Sequence, residues 1–358
     1  MSMKLGLGLY RASLTDDNFQ FAKQAGVTHL VVHLVDYFNG ANPSLESGPP
    51  NRGWGITTNQ DRPWTFDDLS SLKKRIEANG LTWVAIENFD PSHWHDILLD
   101  GPQKKAQMEN LKRTIQVIGR VGIPIMGYNF SIAGVWGWTK GPFGRGNAKG
   151  IRFDESAIDP AMPIPNGMVW NMVYDPDAEP GTVAPVGERE LWERFEWFLS
   201  GIIPVAEECG VRMALHPDDP PADSLRGAAR LVNQPYKYQR VLDVAPSRSN
   251  ALEFCLGSLQ EMREGNVLDS IAEYGSGGSI AYVHFRNVRG KVPSYQEVFV
   301  DEGDLDMIAA IAALRKVGYD GVLIPDHTPE MTCGAPWHAG MAYALGYMRA
   351  ALQAVERL

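Results

Sequence analysis

Cysteine is scarce in this chain. Three stand in 358 residues, Cys209, Cys255 and Cys333, too few and too scattered for a disulfide framework. Long apolar runs are missing too: none approaches the roughly 18 residues of a membrane-spanning helix. The stretch from Met1 to Tyr10 carries one lysine and a short apolar segment, too little for a secretory signal. A reducing, cytoplasmic setting is the expectation. Basic charge is short as well, with 33 Lys and Arg against 43 Asp and Glu and a net charge of −10. Nucleic acid needs a basic footprint, and an anionic membrane surface attracts the same charge, so both are poor partners. No G-x-G-x-x-G follows the first strand, which removes the main signal for a dinucleotide-binding open sheet. No repeat or low-complexity segment stands out.

What is present is a composition that is 44% hydrophobic and 21% charged, ordinary for a globular protein. Strand and helix signals alternate from end to end. Short apolar runs at Lys4–Tyr10, Thr28–His33, Thr82–Glu87 and Ile123–Asn129 read as strands one to four. Val211–His216, Arg240–Asp243, Ile280–His284 and Val322–Asp326 read as strands five to eight. Between them lie helical faces. Thr15 caps one that carries Phe19 and Ala22, and Thr65 with Asp68 resembles a capping box ahead of Leu69, Leu72 and Ile76. Leu111, Ile115 and Ile118 mark another before Gly122. Leu191, Phe195, Phe198, Ile202 and Val205 form a long stripe with a kink expected at Pro204. Helices are also expected over Ser224–Leu231, Leu256–Arg263 and Val267–Ala272, after a cap at Asp304, and over Trp337–Arg357.

Continuous alternation argues a parallel sheet, and eight units point to a (β/α)8 TIM barrel, read as one domain over 1–358. Two loops are long, Asp36–Trp64 after strand two and Ala133–Gly187 after strand four. The second is rich in Gly, Pro and Trp, and its tryptophans suggest a folded, lid-like insertion.

In such a barrel the site lies at the carboxyl ends of the strands. Those ends read Tyr10, His33, Glu87, Asn129, His216, Asp243, His284 and Asp326, all polar after mostly apolar interiors. His216, His284 and Asp326 end strands five, seven and eight, and Cys255 follows strand six. Two imidazoles, a carboxylate and a thiolate make a divalent-metal site if they converge. Taken singly, each has a plainer reading: a rim histidine held by hydrogen bonds, a small buried cysteine, an aspartate capping a helix. Softness favours Zn or Fe for the thiolate, whereas Mn tolerates imidazole and prefers oxygen, so chemistry leaves the metal open. Around this set, His327 is a candidate proton-transfer group. Arg286 is a candidate for pairing a substrate carboxylate, with Asn287, Asp218 and Asn129 as further substrate contacts. Tyr343 is a candidate acid, although aromatic residues on a closing helix are more often core.

Five collinear motifs carry a resemblance: Leu215-His-Pro-Asp-Asp-Pro-Pro221, Phe254-Cys-Leu-Gly-Ser-Leu259, Val283-His-Phe-Arg-Asn-Val288, Phe299-Val-Asp-Glu-Gly-Asp-Leu-Asp306 and Ile324-Pro-Asp-His-Thr-Pro329. With Glu109-Asn-Leu-Lys-Arg-Thr-Ile115 and Tyr128-Asn-Phe130, they resemble the mannonate dehydratase family of bacterial glucuronate degradation. The resemblance implies a xylose-isomerase-like barrel and the removal of water from D-mannonate to give 2-keto-3-deoxy-D-gluconate. It implies a Mn2+ site, with Fe2+ an option, on His216, Cys255, His284 and Asp326, and proton-transfer roles for His327 and Tyr343. The partner is then a small sugar acid, and a homodimer is expected. A sugar isomerase or epimerase on the same barrel, or a non-catalytic sugar-acid sensor, are the rival readings; a nuclease sits badly with the acidic charge.

Overall fold

A computed structural model describes residues 2–37, 54–57 and 62–357. Eight parallel strands close into a barrel: β1 Lys4–Tyr10, β2 His29–His33, β3 Thr82–Glu87, β4 Ile125–Tyr128, β5 Arg212–Leu215, β6 Asn250–Cys255, β7 Ile280–His284 and β8 Val322–Ile324. Each pairs with its neighbours in sequence, and β8 returns to β1. The register lines up the carboxyl ends: Tyr10 pairs with His33, Glu87 with Gly127, and Cys255 with His284. Inside the barrel, small and branched side chains such as Val31, Ala85, Ala214, Ala251 and Ala281 pack together. A larger core lies between the strands and the surrounding helices.

The helices begin where the local chemistry says they should. α1 (Asp16–Gln24) starts at Thr15, whose hydroxyl accepts from the Asn18 amide. α2 (Phe66–Ala78) starts in a capping box closed by Thr65 and Asp68. α4 (Lys104–Val121) ends on Gly122 in the left-handed conformation, φ 77°, which glycine adopts without steric cost. α5 (Glu188–Glu208) continues through Pro204. The remaining helices are α3 (Pro91–Leu99), α6 (Lys237–Val244), α7 (Leu256–Glu261), α8 (Val267–Ser276), α9 (Met307–Lys316) and α10 (Pro336–Glu356).

Several expectations need correcting. The sixth strand is Asn250–Cys255, not Arg240–Asp243, which falls within α6. Asp243 is therefore an exposed helical residue that accepts from Gln239, and Cys255 takes the rim position itself. Ser224–Leu231 is no helix: Ser224–Leu225 and Ala228–Ala229 pair antiparallel, with Arg226 and Gly227 at positive φ in the turn. α9 is capped by Asp306, not Asp304. α3 is an additional helix, begun by Asp90 as N-cap with Pro91 in the first turn. The long loop expected over Asp36–Trp64 lies mostly outside the described residues.

The insertion after β4 is built of strands. Trp138–Gly141 and Gly150–Asp154 pair with each other, and the second pairs with Ser294–Val298. That strand in turn pairs with Asn287–Lys291, which follows β7, so insertions after two barrel strands merge into one four-stranded antiparallel sheet. Phe153 stacks on Tyr295, and Trp138 Nε1 donates to the Tyr295 hydroxyl at 3.0 Å. No helix among the described residues is long and apolar enough to cross a membrane.

Candidate metal centre

Strand geometry alone brings three donors together. Cys255 and His284 end adjacent strands in register, and His216 follows the last residue of β5. One ligand atom from each of His216, Cys255 and His284 lies within 4.8 Å of the others. Asp326 Oδ2 lies 3.5 Å from His284 Nδ1. His216 Nδ1 lies 2.6 Å from the Pro217 carbonyl oxygen, which can only accept, so Nδ1 carries the proton and Nε2 is left to the site.

The electrostatics show which charge this cluster favours. Burial would push the Cys255 thiol up, yet Arg286 and the two imidazoles bring it well below its ordinary value. Burial would likewise raise Asp326, but His327 and His284 hold it well below the carboxylate range. The imidazoles respond in the opposite sense. Burial depresses His216, but Cys255 and Glu253 lift it to about 9. His284 is raised well above its ordinary value against burial by Asp326, Glu87 and Glu253. A thiolate and a carboxylate thus demand positive charge at one point, and protons on two metal-capable rings supply it. A divalent cation meets the same demand with the same donors, so the residues present fit one.

The cluster opens on a cavity of about 70 Å³ whose lining includes Tyr10, Asn129, Trp138, Trp170, Asp219 and His327. His327 sits between two carboxylates, with Nδ1 bonded to Glu297 and Nε2 3.3 Å from Asp326 Oδ2. Burial would lower it, but Asp326 and Glu297 raise it. A neighbouring chamber of about 300 Å³ shares Tyr10, Asp326 and His327, and is lined further by Lys140, Thr328 and Glu330.

Of the expected substrate contacts, Asn129 reaches the cavity and three others do not. Arg286 is buried behind the donors. Its Nη2 lies 2.5 Å from Asp219 Oδ2 and 3.0 Å from Glu261 Oε1, and its Nε lies 3.6 Å from Asp326 Oδ2. Asn287 is consumed by the backbone, donating to the Val300 and Leu305 carbonyls and accepting from the Val288 amide. Asp218 pairs with Arg230 Nε at 3.2 Å and accepts from the Val232 amide. Tyr343 is also elsewhere: its hydroxyl accepts from Arg145 Nη2 at 3.3 Å, beside Asp301, and it lines neither chamber. Arg145 belongs to the insertion after β4, so Tyr343 ties that insertion to α10.

Further acidic side chains surround the cluster: Glu87, read from sequence only as a polar strand end, and Glu253 and Glu297, which drew no reading there. Glu87 and Glu253 converge on His284 from below, and Glu297 holds His327. Glu253 carries a readable signal, since it lies two residues before Cys255 on one strand and shares its face. Asp219 lines the cavity and accepts from the Tyr295 hydroxyl at 2.9 Å, whereas its neighbour Asp218 turns away.

The family model described as D-mannonate dehydratase (UxuA) matches residues 22–357. The chain belongs to the D-mannonate dehydratase family. It is 32% identical to the mannonate dehydratase of Streptococcus suis over 277 residues, 74% of each chain. It is 31% identical to that of Oceanobacillus iheyensis over 313 residues, covering 82% of this chain and 86% of the relative. A crystal structure of mannonate dehydratase from Streptococcus suis serotype 2 superposes with a TM-score of 0.76 at 26% identity, covering 99% of this chain and 94% of the other. A structure of L-ribulose 3-epimerase superposes at 0.58 and 16% identity over 99% of this chain and 96% of its own. At that identity it shows the xylose-isomerase-like barrel alone.

Proposed function

We propose that this chain is a metal-dependent hydro-lyase that converts D-mannonate to 2-keto-3-deoxy-D-gluconate. Family membership supports the substrate. The observation that carries the chemistry is the clustering of Cys255 with His216 and His284, beside a cavity that those two imidazoles line together with Asp326 and His327. The proposed ligands are His216, Cys255, His284 and Asp326, and the proposed ion is Mn2+, with Fe2+ as the alternative that the thiolate favours. When bound, such an ion supplies Lewis-acid stabilisation of negative charge developing on the sugar acid as its C2 proton leaves.

His327 takes that proton. The flanking carboxylates of Asp326 and Glu297 stabilise the imidazolium that forms, which makes the ring a stronger base than its burial alone would allow. The same ring then delivers the proton to the departing C3 hydroxyl, which leaves as water, and the enol product tautomerises to the keto acid. With Tyr343 engaged by Arg145, one residue carries both transfers.

The cavity of about 70 Å³ takes the reacting end of the acid, and the chamber of about 300 Å³ beyond His327 takes its hydroxylated tail. There Lys140 Nζ and Glu330 Oε1 form a 2.8 Å ion pair, and the buried Thr328 hydroxyl has no partner among the described residues, which leaves polar groups for sugar hydroxyls. The Ala133–Gly187 insertion, through Val135, Trp138 and Trp170, walls the cavity and serves as the lid that excludes water from the reaction.

The test is turnover of D-mannonate by Mn2+-loaded protein, followed through a periodate–thiobarbiturate assay for the 2-keto-3-deoxy product. Absence of that product, with mannonate recovered as its C2 epimer, would replace the reading with an epimerase.

A further inference from the structure

The floor beneath the metal cluster is polar, which is unusual for a barrel interior ordinarily filled by aliphatic layers. Strand periodicity places it there. Glu253 lies two residues before Cys255 and Tyr282 two before His284, so each sits on the same strand face as the donor above it. Glu87, at the end of β3, completes the layer. Gly127 on β4 makes room for it: a Cβ there would stand 2.2 Å from the Tyr282 hydroxyl and 2.5 Å from Glu253 Oε2.

His284 stands on this floor. Its Nε2 donates to Glu87 Oε2 at 3.3 Å, and the Tyr282 hydroxyl donates to the same oxygen at 3.2 Å. Glu253 Oε1 lies 3.1 Å from Nε2, but neither Glu253 oxygen has a well-directed hydrogen bond among the described residues, so Glu87 is the acceptor. At the other side of the ring, Nδ1 has no hydrogen-bond partner among the described residues and faces Asp326 at 3.5 Å. His216 is held in the complementary way, with the Pro217 carbonyl fixing Nδ1.

We infer that Glu87 is the positioning residue of the metal centre: it takes the Nε2–H of His284, fixes that tautomer and turns the Nδ1 lone pair toward the cation. Glu253 keeps the floor acidic beside it. The assignment rests on the cation reading given above. Carboxylates behind metal-bound histidines act in this way, and their removal typically costs 10–100-fold in metal affinity or activity.

The experiment measures Mn2+ affinity without sugar acid, by calorimetric titration of stripped parent, Glu87→Gln and Glu87→Leu proteins. Near-ultraviolet spectra of their Co2+ forms are recorded alongside. Glu87→Gln keeps an acceptor oxygen but loses the charge, and is expected to weaken Mn2+ binding about tenfold. Glu87→Leu is expected to weaken it about a hundredfold. All three should keep the thiolate-to-cobalt charge-transfer band that reports Cys255 in the coordination sphere. If Glu87→Leu does not fold, the isosteric Glu87→Gln carries the test. Variants within twofold of the parent overturn the assignment, as they would if Glu87 only touched substrate and raised KM. A parent that binds Co2+ without the thiolate band also overturns it, because the cation would then sit among Glu87, Glu253 and His284. A parent that binds no divalent cation overturns both this assignment and the cation reading.

Discussion

Replacing Arg286 by Met separates two roles that the sequence cannot tell apart. A substrate-binding arginine would lose affinity for the sugar acid and leave the fold intact. The structure gives a different answer, because Arg286 is 1% exposed and faces Asp219 at 2.5 Å and Glu261 at 3.0 Å, themselves 3% and 0% exposed. Removing one partner of a buried ion pair costs about 3–5 kcal/mol, since the other charge is left buried without compensation. Unfolding entropy of about 2.1 cal/mol/K per residue makes each degree of melting temperature worth about 0.75 kcal/mol in a chain of 358 residues. Arg286→Met should therefore melt about 4–7 °C below the parent when both are metal-free near pH 7. The pH dependence follows from Asp219. Burial alone would raise its pKa, but Arg286 holds it below the ordinary carboxylate range. A depressed folded-state pKa contributes stability above the unfolded value and loses it as pH falls. The deficit of the variant should thus hold from neutrality down to about pH 4 and narrow as pH falls below that. Scanning calorimetry at several pH values checks both statements. A variant that melts within 1 °C of the parent while its KM rises tenfold or more would refute the buried role and return Arg286 to the substrate.

His327→Asn should lower kcat by at least a hundredfold while sugar-acid binding, read by calorimetry, changes less than threefold; unchanged turnover would remove His327 from the chemistry. Cys255→Ser replaces a soft donor by a hard one, and should abolish the thiolate-to-cobalt band and shift preference from Fe2+ toward Mn2+ in a competition titration. Tyr343→Phe deletes one hydrogen bond in a partly exposed cluster, worth about 1 kcal/mol in a melt, and a hundredfold fall in kcat would instead restore it as a proton donor. Thr328→Val in the outer chamber should raise KM for the six-carbon acid severalfold, and an unchanged KM would place the sugar tail elsewhere.

The fold was legible because it is written in local rules. Caps such as Thr15 and Thr65, and short apolar runs at barrel spacing, found seven of the strands near their observed positions. The eighth, Asn250–Cys255, was missed because its sequence Asn-Ala-Leu-Glu-Phe-Cys holds a glutamate in a position that ought to be apolar. That irregularity was itself informative: Glu253 faces the barrel interior because the floor of the site needs polar groups. The inserted sheet was not legible as one unit, since Gly150–Asp154, besides its local partner Trp138–Gly141, pairs with Ser294–Val298, more than 130 residues away, and no local pattern encodes that pairing.

The site divides along the same line. His284 was read at a strand end and lies there, because a strand fixes which way its last side chain points. Beyond a strand end alternation stops, so position no longer says where a side chain points: His216 and Asp326 turn to the cluster, but others there do not. Asp218, Arg286 and Asn287 each follow a donor within three residues, and chemical type made them plausible substrate contacts. Their side chains instead turn to Arg230, to Asp219 and Glu261, and to backbone groups of the 300–305 loop. Burial explains the outcome. A charged or amide group beside a buried cluster has to be satisfied by whatever the protein offers before substrate arrives, and here carboxylates and carbonyls lie within reach. The groups left for a ligand are those that the described residues do not satisfy, such as the Thr328 hydroxyl and His284 Nδ1. Type and proximity in sequence nominate a site residue; an unmet hydrogen bond facing a cavity is what distinguishes it.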